Sequence, residues 1–420
     1  MKKKYIILSA SLLIAVILLE LIFPTSRLSP DRTCPFKHDF DSIYNQQIKI
    51  PSVNTVFEKN DYSALNYDAP VGVWISYIEL SQMLKNSTED SFRNEISNSY
   101  EKISSLGANT VYVHVRAFSD AYYFSEYYPL TSAFGDSEPF DALQIMIEEA
   151  HKRNLSFHAW INPLRCQSEK NTLEIPREYA VRKMYDVSFG EKIVAVESSP
   201  FLWLNPAYKD VQALVYNGVG EIVSKYDVDA IHIDDYFYPT ISDSFDKSAF
   251  EQSGHSDLSE WRMSNIDNLV LSINAQIKNI NPSVLFEISP QGNISNNYTQ
   301  MYADVKKWCK NDNVFCDVII PQVYFGYNSS SPYLETINAW SEMTKENDSI
   351  KLVIGLGVYK ISEESEFMNT ENIISKQISD ALRLENVDGI SLYGYSVLFN
   401  DDELAEKMES EREAIKIILK

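Results

Sequence analysis

Short runs of β-branched and aromatic residues alternate with amphipathic stretches from Val71 onward. There are eight such runs, and they begin at Val71, Asn109, Ser156, Asp229, Ser283, Cys316, Lys351 and Asp388. Runs of this composition predict strands, and the amphipathic stretches between them predict helices that connect one parallel strand to the next. The pattern therefore predicts an α/β fold of eight β/α units over residues 69–420.

Apolar residues at spacings of three and four define the buried faces of the predicted helices. One such face runs from Phe92 to Leu106, and Gly107 is expected to end that helix. A second runs from Val211 to Tyr226. Asn205 and Pro206 are the predicted N-cap and first residue of this second helix, because proline is favoured at the first helical position.

The number of units favours a closed (β/α)8 TIM barrel, with residues 69–420 as a single domain. An open, doubly wound sheet is the alternative, and it usually carries a glycine-rich phosphate-binding turn after its first strand. The first run, VGVWISYIEL, contains no such turn. The longest irregular stretches, 163–204 and 239–260, both follow strand ends, which is where a barrel places its active site.

The N-terminal region has a different character. Three lysines at positions 2–4 precede an apolar run from Tyr5 to Phe23, a pattern typical of a signal anchor or signal peptide. The length favours an uncleaved anchor over residues 1–23, with the basic end in the cytoplasm. Residues 24–68 are polar and interrupted by prolines, so they predict a stalk. We expect an extracytoplasmic domain on the cell membrane, or a secreted protein if the segment is cleaved.

Charge narrows the range of partners. The chain has 37 basic and 59 acidic residues, for a net charge of -22. This field repels the phosphate backbone, which argues against a nucleic-acid partner, and membrane attachment must come from an inserted segment. The cysteines at 34, 166, 309 and 316 lack the C-x2-C spacing of metal sites and could be free or paired. No cofactor or metal is predicted, and the sequence does not indicate an oligomeric state.

Polar side chains recur in one phase of six strands. They are Tyr112, His114 and Arg116 in the second run, His158, Trp160 and Asn162 in the third, His232 and Asp234 in the fourth, Glu287 and Ser289 in the fifth, Gln322 and Tyr324 in the sixth, and Tyr393 and Tyr395 in the eighth. Burying so many polar groups unpaired would cost roughly 1 to 3 kcal/mol each. Their convergence therefore predicts a polar mouth at the carboxyl ends of the strands, although any one histidine alone is more typical of a hydrogen-bonded core residue.

Carboxylates supply the candidate chemistry. Glycoside cleavage needs one acid to protonate the departing oxygen and a second carboxylate as nucleophile or base. We predict Asp234 as nucleophile or base, Glu287 as acid and Asp235 as a further catalytic residue. Two alternatives stay open: Asp235 could be a loop cap or an arginine partner, and Glu287 could be paired inside the barrel. Asp120 could also enter the mouth from the second loop.

Sugar rings bind to aromatic faces and to planar hydrogen-bonding side chains, and the strand ends carry both. The predicted substrate-binding residues are His114, Arg116, Asp120, His158, Trp160, Asn162, Arg165, His232, Tyr236, Gln322, Tyr324 and Tyr393. A polysaccharide or oligosaccharide is therefore the predicted ligand.

The stretches HAWINPLR, HIDDYFYP and IIPQVYF resemble the bacterial glycosyl-hydrolase-like family 10, found in extracytoplasmic proteins. The resemblance implies a TIM barrel that hydrolyses O-glycosidic bonds, with cell-envelope glycan such as peptide-free peptidoglycan strands as the target. By position, the polar motif residues of the family fall on Arg116, Asp120, Asn162, Arg165, Asp234, Asp235 and Gln322. Members usually carry a small residue where this chain has Glu287, which leaves Asp235 or Asp120 as alternative partners of Asp234.

Two other functions are compatible with the sequence. A non-catalytic carbohydrate-binding barrel would need only the aromatic rim. A metal-dependent hydrolase or deacetylase would use His114, His158, His232 and the aspartate pair, but neither H-x-H nor H-E-x-x-H spacing supports it.

Overall fold

The computed structural model describes residues 55–310 and 314–420, and its centre is a closed barrel of eight parallel strands. The barrel strands are β1 (Val71–Ile75), β2 (Thr110–Arg116), β3 (Ser156–Ile161), β6 (Ala230–Ile233), β7 (Leu285–Ile288), β8 (Val318–Ile319), β9 (Lys351–Gly357) and β10 (Gly389–Tyr393). Two short strands, β4 (Ile193–Ala195) and β5 (Leu202–Leu204), form a separate antiparallel pair. Because β10 pairs with β1, the ring closes, and the predicted TIM barrel is confirmed.

Helices surround the barrel. They are α1 (Tyr77–Leu84), α2 (Glu89–Leu106), α3 (Ala142–His151), α4 (Glu169–Glu174), α5 (Ala180–Ser188), α6 (Lys209–Lys225), α7 (Lys247–Ser253), α8 (Leu258–Ile280), α9 (Ile294–Gln300), α10 (Val305–Lys310), α11 (Tyr333–Thr344), α12 (Lys360–Glu363), α13 (Ser365–Asn369), α14 (Ile373–Ala381), α15 (Tyr395–Phe399) and α16 (Ala405–Ile418). Within the described ranges, no helix is both long and apolar enough to cross a membrane.

Of two predicted helix boundaries, one is confirmed and the other is wrong. Gly107 ends α2 with φ of 97°, in the left-handed region, as predicted. The start of α6 was predicted three residues too early, because its N-cap is Tyr208. Asn205 instead builds a turn: its Oδ1 accepts from the amide of Ala207 at 3.1 Å, and its Nδ2 donates to the carbonyl of Glu191 at 2.9 Å.

Two separate apolar clusters fill the molecule. The larger lies between the strands and the surrounding helices. The smaller fills the barrel interior and consists of Trp74, Tyr112, Trp160, Val318, Ile320 and Val353. Three of these six residues are aromatic, and polar side chains such as His158, His232 and Glu287 occupy other positions in the interior.

The long stretches after β3 and β6 are more ordered than predicted. Residues 163–204 contain α4, α5 and the β4–β5 pair, and residues 239–260 contain α7. The backbone of Arg165 forms an antiparallel bridge with Trp203, so the hairpin lies beside the carboxyl end of β3. The three described cysteines, at 166, 309 and 316, are buried free thiols.

The amino-terminal face of the barrel is held together by asparagine and aspartate side chains that precede strands. Each accepts a hydrogen bond from a backbone amide of the neighbouring strand. The pairs are Asn109 with Val71 at 2.8 Å, Asp229 with Phe157 at 2.7 Å, Asp317 with Phe286 at 2.7 Å and Asp388 with Leu352 at 2.8 Å. These bonds help to fix the register of adjacent strands.

The chain segment before β1 covers this same face. Tyr62 donates its hydroxyl to Asp229 at 2.8 Å, and Asn60 donates to the carbonyl of Val223 at 3.1 Å. The end of the predicted stalk, residues 55–68, thus includes residues bound to the barrel. The predicted anchor 1–23 and the rest of the stalk lie outside the described residues.

Candidate active site

Asp234 follows the last residue of β6 and is only 2% exposed. Its Oδ2 accepts from Trp160 Nε1 at 3.0 Å and from Asn162 Nδ2 at 3.4 Å. Its Oδ1 is buried and has no hydrogen-bond partner among the described residues. Burial, reinforced by the charge of Asp235, raises the pKa of Asp234 to about 7. Asp234 can therefore carry a proton near neutral pH, and Oδ1 is the oxygen free to hold it.

Asp235 is half-buried beside Asp234. Its Oδ1 accepts from Gln322 Nε2 at 3.2 Å, and the side chain of Gln291 also hydrogen-bonds to it. Burial raises the pKa of Asp235, while the two amide donors lower it by favouring the ionised form. Gln322 also donates to the carbonyl of Ser289 at 2.9 Å, so the ends of β7 and β8 position Asp235. The structure thus brings Asp234, Asp235 and Gln322 together.

Glu287 does not lie beside this pair. In the register between β6 and β7, Glu287 pairs with His232, which precedes Asp234 by two residues. Glu287 therefore lies deeper in the barrel than Asp234. Its Oε2 binds His158 Nδ1 at 2.8 Å and His232 Nδ1 at 3.3 Å. Burial favours the protonated carboxyl, but the two histidines outweigh it and lower the pKa of Glu287 to about 2. The predicted acid role does not fit this position, because the carboxylate stays ionised.

His158 and His232 both bind Glu287 in the barrel interior. They therefore lie below the mouth that they were predicted to line. Trp74 Nε1 lies 3.2 Å from His232 Nε2. An indole can only donate, so His232 Nε2 accepts and its proton is on Nδ1, facing Glu287. Burial lowers the pKa of His232, in keeping with this neutral ring. His158 Nε2 lies 2.7 Å from Ser156 Oγ.

His114 lies against Trp160. The two rings stack with centroids 3.8 Å apart and an interplanar angle of 9°. Both ring nitrogens of His114 are buried without a hydrogen-bond partner in the described structure. Burial lowers its pKa well below the ordinary value, and the charges of Arg165 and His232 act in the same direction. His114 is thus a neutral ring supporting the residue that holds Asp234.

Arg116 was predicted to face the mouth and does not. The register between β2 and β3 shifts between His114 and Arg116, so that Arg116 is level with Ile161, which belongs to the outer core. A bulge of this kind reverses the alternation of side chains. The Arg116 guanidinium instead packs over the ring of Tyr128, 4.2 Å from its centroid, on the side of helix α6.

Asp120 and Asn162 organise the loops around the mouth. Asp120 accepts from the amide of Phe118 at 3.1 Å and also bonds Thr131 and Gln167, so it ties the loop after β2 to the loop after β3. Asn162 Oδ1 accepts from the amide of Arg165 at 2.9 Å while its Nδ2 faces Asp234. Asn162 thus joins Asp234 to the turn that carries Arg165.

Aromatic residues surround the aspartate pair. Tyr324 and Tyr393 stack with centroids 5.8 Å apart, and Tyr359 packs edge-on against both. Tyr393 also meets the edge of Trp160 at 6.4 Å. Tyr236, which directly follows Asp235, is 37% exposed. The predicted residues Trp160, Tyr236, Tyr324 and Tyr393 therefore contribute to one rim.

With this geometry in place, comparison with known proteins identifies the family. Residues 71–372 match the family model described as glycosyl hydrolase-like 10. This chain belongs to that family. The match covers most of the barrel and includes both aspartates.

Two relatives give the extent of the likeness. Glycosyl hydrolase YngK of Bacillus subtilis (strain 168) is 31% identical over 357 residues, which cover 78% of this chain and 65% of YngK. Glycosyl hydrolase DigH of Escherichia coli (strain K12) is 27% identical over 329 residues, which cover 72% of this chain and 74% of DigH. The chain therefore spans slightly less than two thirds of the length of YngK.

Among solved structures, the glycoside hydrolase domain of PgaB (BpsB) from Bordetella bronchiseptica matches with a TM-score of 0.58 at 10% identity. The match covers 83% of this chain and 99% of that domain. The endo-1,4-beta-mannanase of Rhizomucor miehei matches with a TM-score of 0.50, also at 10% identity, over 86% of this chain and 99% of the mannanase. At such identity these structures show the shared barrel fold alone.

The structure adds residues to the site of this glycosyl hydrolase-like 10 protein that the sequence analysis missed. Tyr359 lies two residues beyond the end of β9, where it precedes α12, so the signal that could have found it is its position just after a barrel strand. Gln291 lies beyond the end of β7, and Tyr77 is the first residue of α1, so strand alternation applies to neither. Glu79 is a buried carboxylate near Tyr393, but its oxygens are bonded to Ser76 and Ser396.

The histidines bear on the metal-dependent alternative. In residues 55–310 and 314–420, no group of three or more His, Cys, Asp and Glu side chains is arranged to hold a metal ion. His158 and His232 both direct Nδ1 to Glu287, whereas His114 stacks on Trp160. The three histidines therefore do not converge on the aspartate pair.

Proposed function

We propose that this protein is a glycoside hydrolase that cleaves O-glycosidic bonds in a cell-envelope glycan of the peptidoglycan type. The observation that carries the proposal is Asp234, a buried carboxyl with a pKa of about 7 and one unpartnered oxygen, directly beside a second carboxylate. Membership of the glycosyl hydrolase-like 10 family and the names of YngK and DigH support glycan hydrolysis.

The environments of the two aspartates suggest their roles. Asp234 acts as the general acid and donates the proton on Oδ1 to the departing glycosidic oxygen. Asp235 acts as the second carboxylate: burial raises its pKa, but the amides of Gln322 and Gln291 bind the carboxylate and oppose that rise. Different environments around adjacent carboxyls commonly separate an acid from a base or nucleophile. This proposal differs from the sequence prediction, in which Asp234 was base or nucleophile and Glu287 the acid.

The aromatic rim would bind the sugar rings. Tyr236, Tyr324, Tyr359 and Tyr393 present faces or edges around the aspartate pair. Because such a rim would also serve a non-catalytic carbohydrate-binding barrel, turnover has to be measured separately from binding.

The test compares full-length wild type with Asp234→Asn and Asp235→Asn on purified, peptide-free peptidoglycan strands, with products identified by mass spectrometry. We expect each variant to lose about 10²- to 10⁴-fold in kcat while retaining glycan binding, the range typical of a lost general acid or base. Asp257→Asn is the control, since Asp257 is an exposed N-cap on α8 that asparagine can replace.

Two outcomes would reject parts of the proposal. Binding without any turnover by wild type would favour the carbohydrate-binding barrel. Equal turnover by wild type and Asp234→Asn would show that this aspartate is not the acid.

We also propose that the barrel is extracytoplasmic, on the basis of the apolar run Tyr5–Phe23 behind three lysines. Protease added to intact cells after removal of the outer wall layers should digest the barrel of the full-length protein. Protection of the barrel under conditions that spare a cytoplasmic marker would contradict this location.

A further inference from the structure

Arg165 is an almost buried arginine without an ion pair. It is 6% exposed, and the described structure gives its side chain a single hydrogen bond, from Nε to the carbonyl of Ala117 at 3.3 Å. Arg262, which is fully buried, differs because Asp246 binds its guanidinium at 2.6 and 2.9 Å. A buried guanidinium is normally neutralised by such a partner. Arg165 keeps its two Nη groups without a protein acceptor in the described residues.

Aromatic rings hold Arg165 in place and leave those donors available. The guanidinium lies 4.4 Å from the ring centroid of Phe118 and 4.3 Å from that of Tyr236, with Tyr77 and Phe201 at 5.6 and 5.7 Å. Stacking uses the flat face of a guanidinium and not its edge donors. Tyr236 is exposed and the other three rings are half-buried, so this aromatic cage opens to solvent.

The cage borders the aspartate pair. Tyr236 directly follows Asp235, and the amide of Arg165 is bonded to Asn162, whose side chain faces Asp234. The positive charge of Arg165 also lowers the pKa of both aspartates. A ligand bound to the free edge of Arg165 would therefore lie next to the proposed cleavage site.

We infer that Arg165 binds a carboxylate carried by the sugar unit adjacent to the scissile bond, so that the protein acts on an acidic glycan. The inference rests on the proposed function and deepens it. The guanidinium fork matches a carboxylate with two parallel hydrogen bonds, whereas a sugar hydroxyl could accept at only one position and would leave the charge uncompensated. In a chain of net charge -22, an acidic ligand needs such a local cation.

Two kinds of sugar carry this carboxylate: a muramic-acid unit whose lactyl group bears no peptide, and a uronic acid. The test uses the full-length protein and two matched glycans, peptide-free peptidoglycan strands and the same strands with their carboxylates reduced to alcohols. A uronate-containing polysaccharide forms a third arm that separates the two sources. For wild type we expect kcat/KM to fall about 10- to 100-fold on the reduced strands, the range for a lost charge-assisted hydrogen bond.

The variant Arg165→Gln completes the test. Its kcat/KM on unreduced strands should fall to the level that wild type shows on reduced strands, and it should no longer distinguish the two. Arg116→Gln is the matched control, because Arg116 is also a buried arginine over an aromatic ring but faces α6. The ratio of its kcat/KM on unreduced strands to that on reduced strands should equal the ratio for wild type. This ratio does not depend on the fraction of the protein that is folded.

Equal cleavage of both strands by wild type would overturn the inference and leave the proposed function intact. Discrimination that persists in Arg165→Gln would also overturn it, by assigning the carboxylate to another residue. Cleavage of neither strand nor of the uronate polymer would instead reject the proposed function. Since the first comparison uses wild type alone, a variant that fails to fold would not prevent a decision.

Discussion

At the residue scale, Trp160 connects the barrel interior to the proposed acid. Its ring stacks on His114, and its Nε1 donates to Asp234 Oδ2. A hydrogen bond to the ionised carboxylate lowers its pKa, so Trp160 opposes part of the rise caused by burial and by Asp235. The side chain thus tunes Asp234 as well as orienting it.

Trp160→Phe should therefore raise the pKa of Asp234. A general acid works only while protonated, so activity falls as the pH rises through its pKa. We expect the alkaline limb of the kcat profile to move upward by about one pH unit. Trp74→Phe is the control. Because the indole of Trp74 donates to His232 and not to Asp234, the alkaline limb should not move in this variant. An unmoved or lowered limb in Trp160→Phe would contradict the role assigned to Asp234.

Glu287 is expected to support the fold and not the reaction. Its ionised form is bound by His158 and His232, so Glu287→Gln should lower the free energy of unfolding by about 3 to 5 kcal/mol near neutral pH. Because folding lowers the pKa of Glu287 from 4.5 to about 2, this stabilisation is present above pH 4.5 and is lost as the pH falls through 2. Urea unfolding at several pH values measures it.

Activity provides the other half of that test. Well below the melting temperature, Glu287→Gln should retain kcat within about tenfold, since ground-state packing and not proton transfer is changed. A stable variant with kcat reduced a thousandfold would restore Glu287 as the catalytic acid.

These residues show what a sequence can say about a site. Asp234 and Asp235 could be predicted because they directly follow an apolar strand, where the mouth of a barrel must lie. Alternation along a strand shows that Glu287 points inward, but not at which level, because strands of a barrel are staggered. Its level depends on its alignment with His232, which is a property of the pairing between strands.

At the scale of elements, one bulge in β2 redirects a whole side chain. Beyond it, Arg116 lies against α6, where a Cβ on Gly218 would be 2.4 Å from Arg116 Nη1 and 2.4 Å from a ring carbon of Tyr128. The glycine therefore allows the helix to approach the strand. Alternation predicted the opposite face for Arg116, because a bulge leaves no distinct signal in the apolar pattern.

Gly218→Ala tests this packing. Helix propensity alone would favour alanine by about 1 kcal/mol. We expect the contact with Arg116 and Tyr128 to prevail, with a net destabilisation of about 1 to 3 kcal/mol in urea unfolding. Ser224→Ala on the same helix should change stability by less than about 0.5 kcal/mol. A rise in stability for Gly218→Ala would show that the space beside α6 is larger than described.

The elements of the barrel could be predicted far better than those of its loops. Each barrel strand begins at or within two residues of a predicted run, because buried parallel strands need continuous apolar sequence. Strands β4 and β5 have three residues each, and helix α4 has six. Such short elements carry too little periodicity to detect and depend on tertiary contacts, such as the bridge between Arg165 and Trp203.

At the scale of the whole molecule, the two ends of the barrel differ in character. The carboxyl end carries the aspartates and the aromatic rim. The amino end carries acidic side chains that bind backbone amides, as Asp229 and Asp317 do. Tyr62 and the amide of Leu65 also bind Asp229, so the segment before β1 belongs to this structural end. Such a separation lets the mouth vary without weakening the fold.

A chain that begins at residue 69, the predicted start of the domain, should therefore be less stable than one that begins at residue 55. It loses the bonds of Asn60, Tyr62 and Asn66 to the barrel, and at about 1 kcal/mol each we expect a deficit of at least about 2 kcal/mol in urea unfolding. Tyr62→Phe in the longer chain should reproduce part of it. Because these bonds lie at the end of the barrel opposite the aspartates, the two chains should have the same kcat at low temperature. If the two chains instead had equal urea unfolding midpoints, the true domain boundary would be at residue 69.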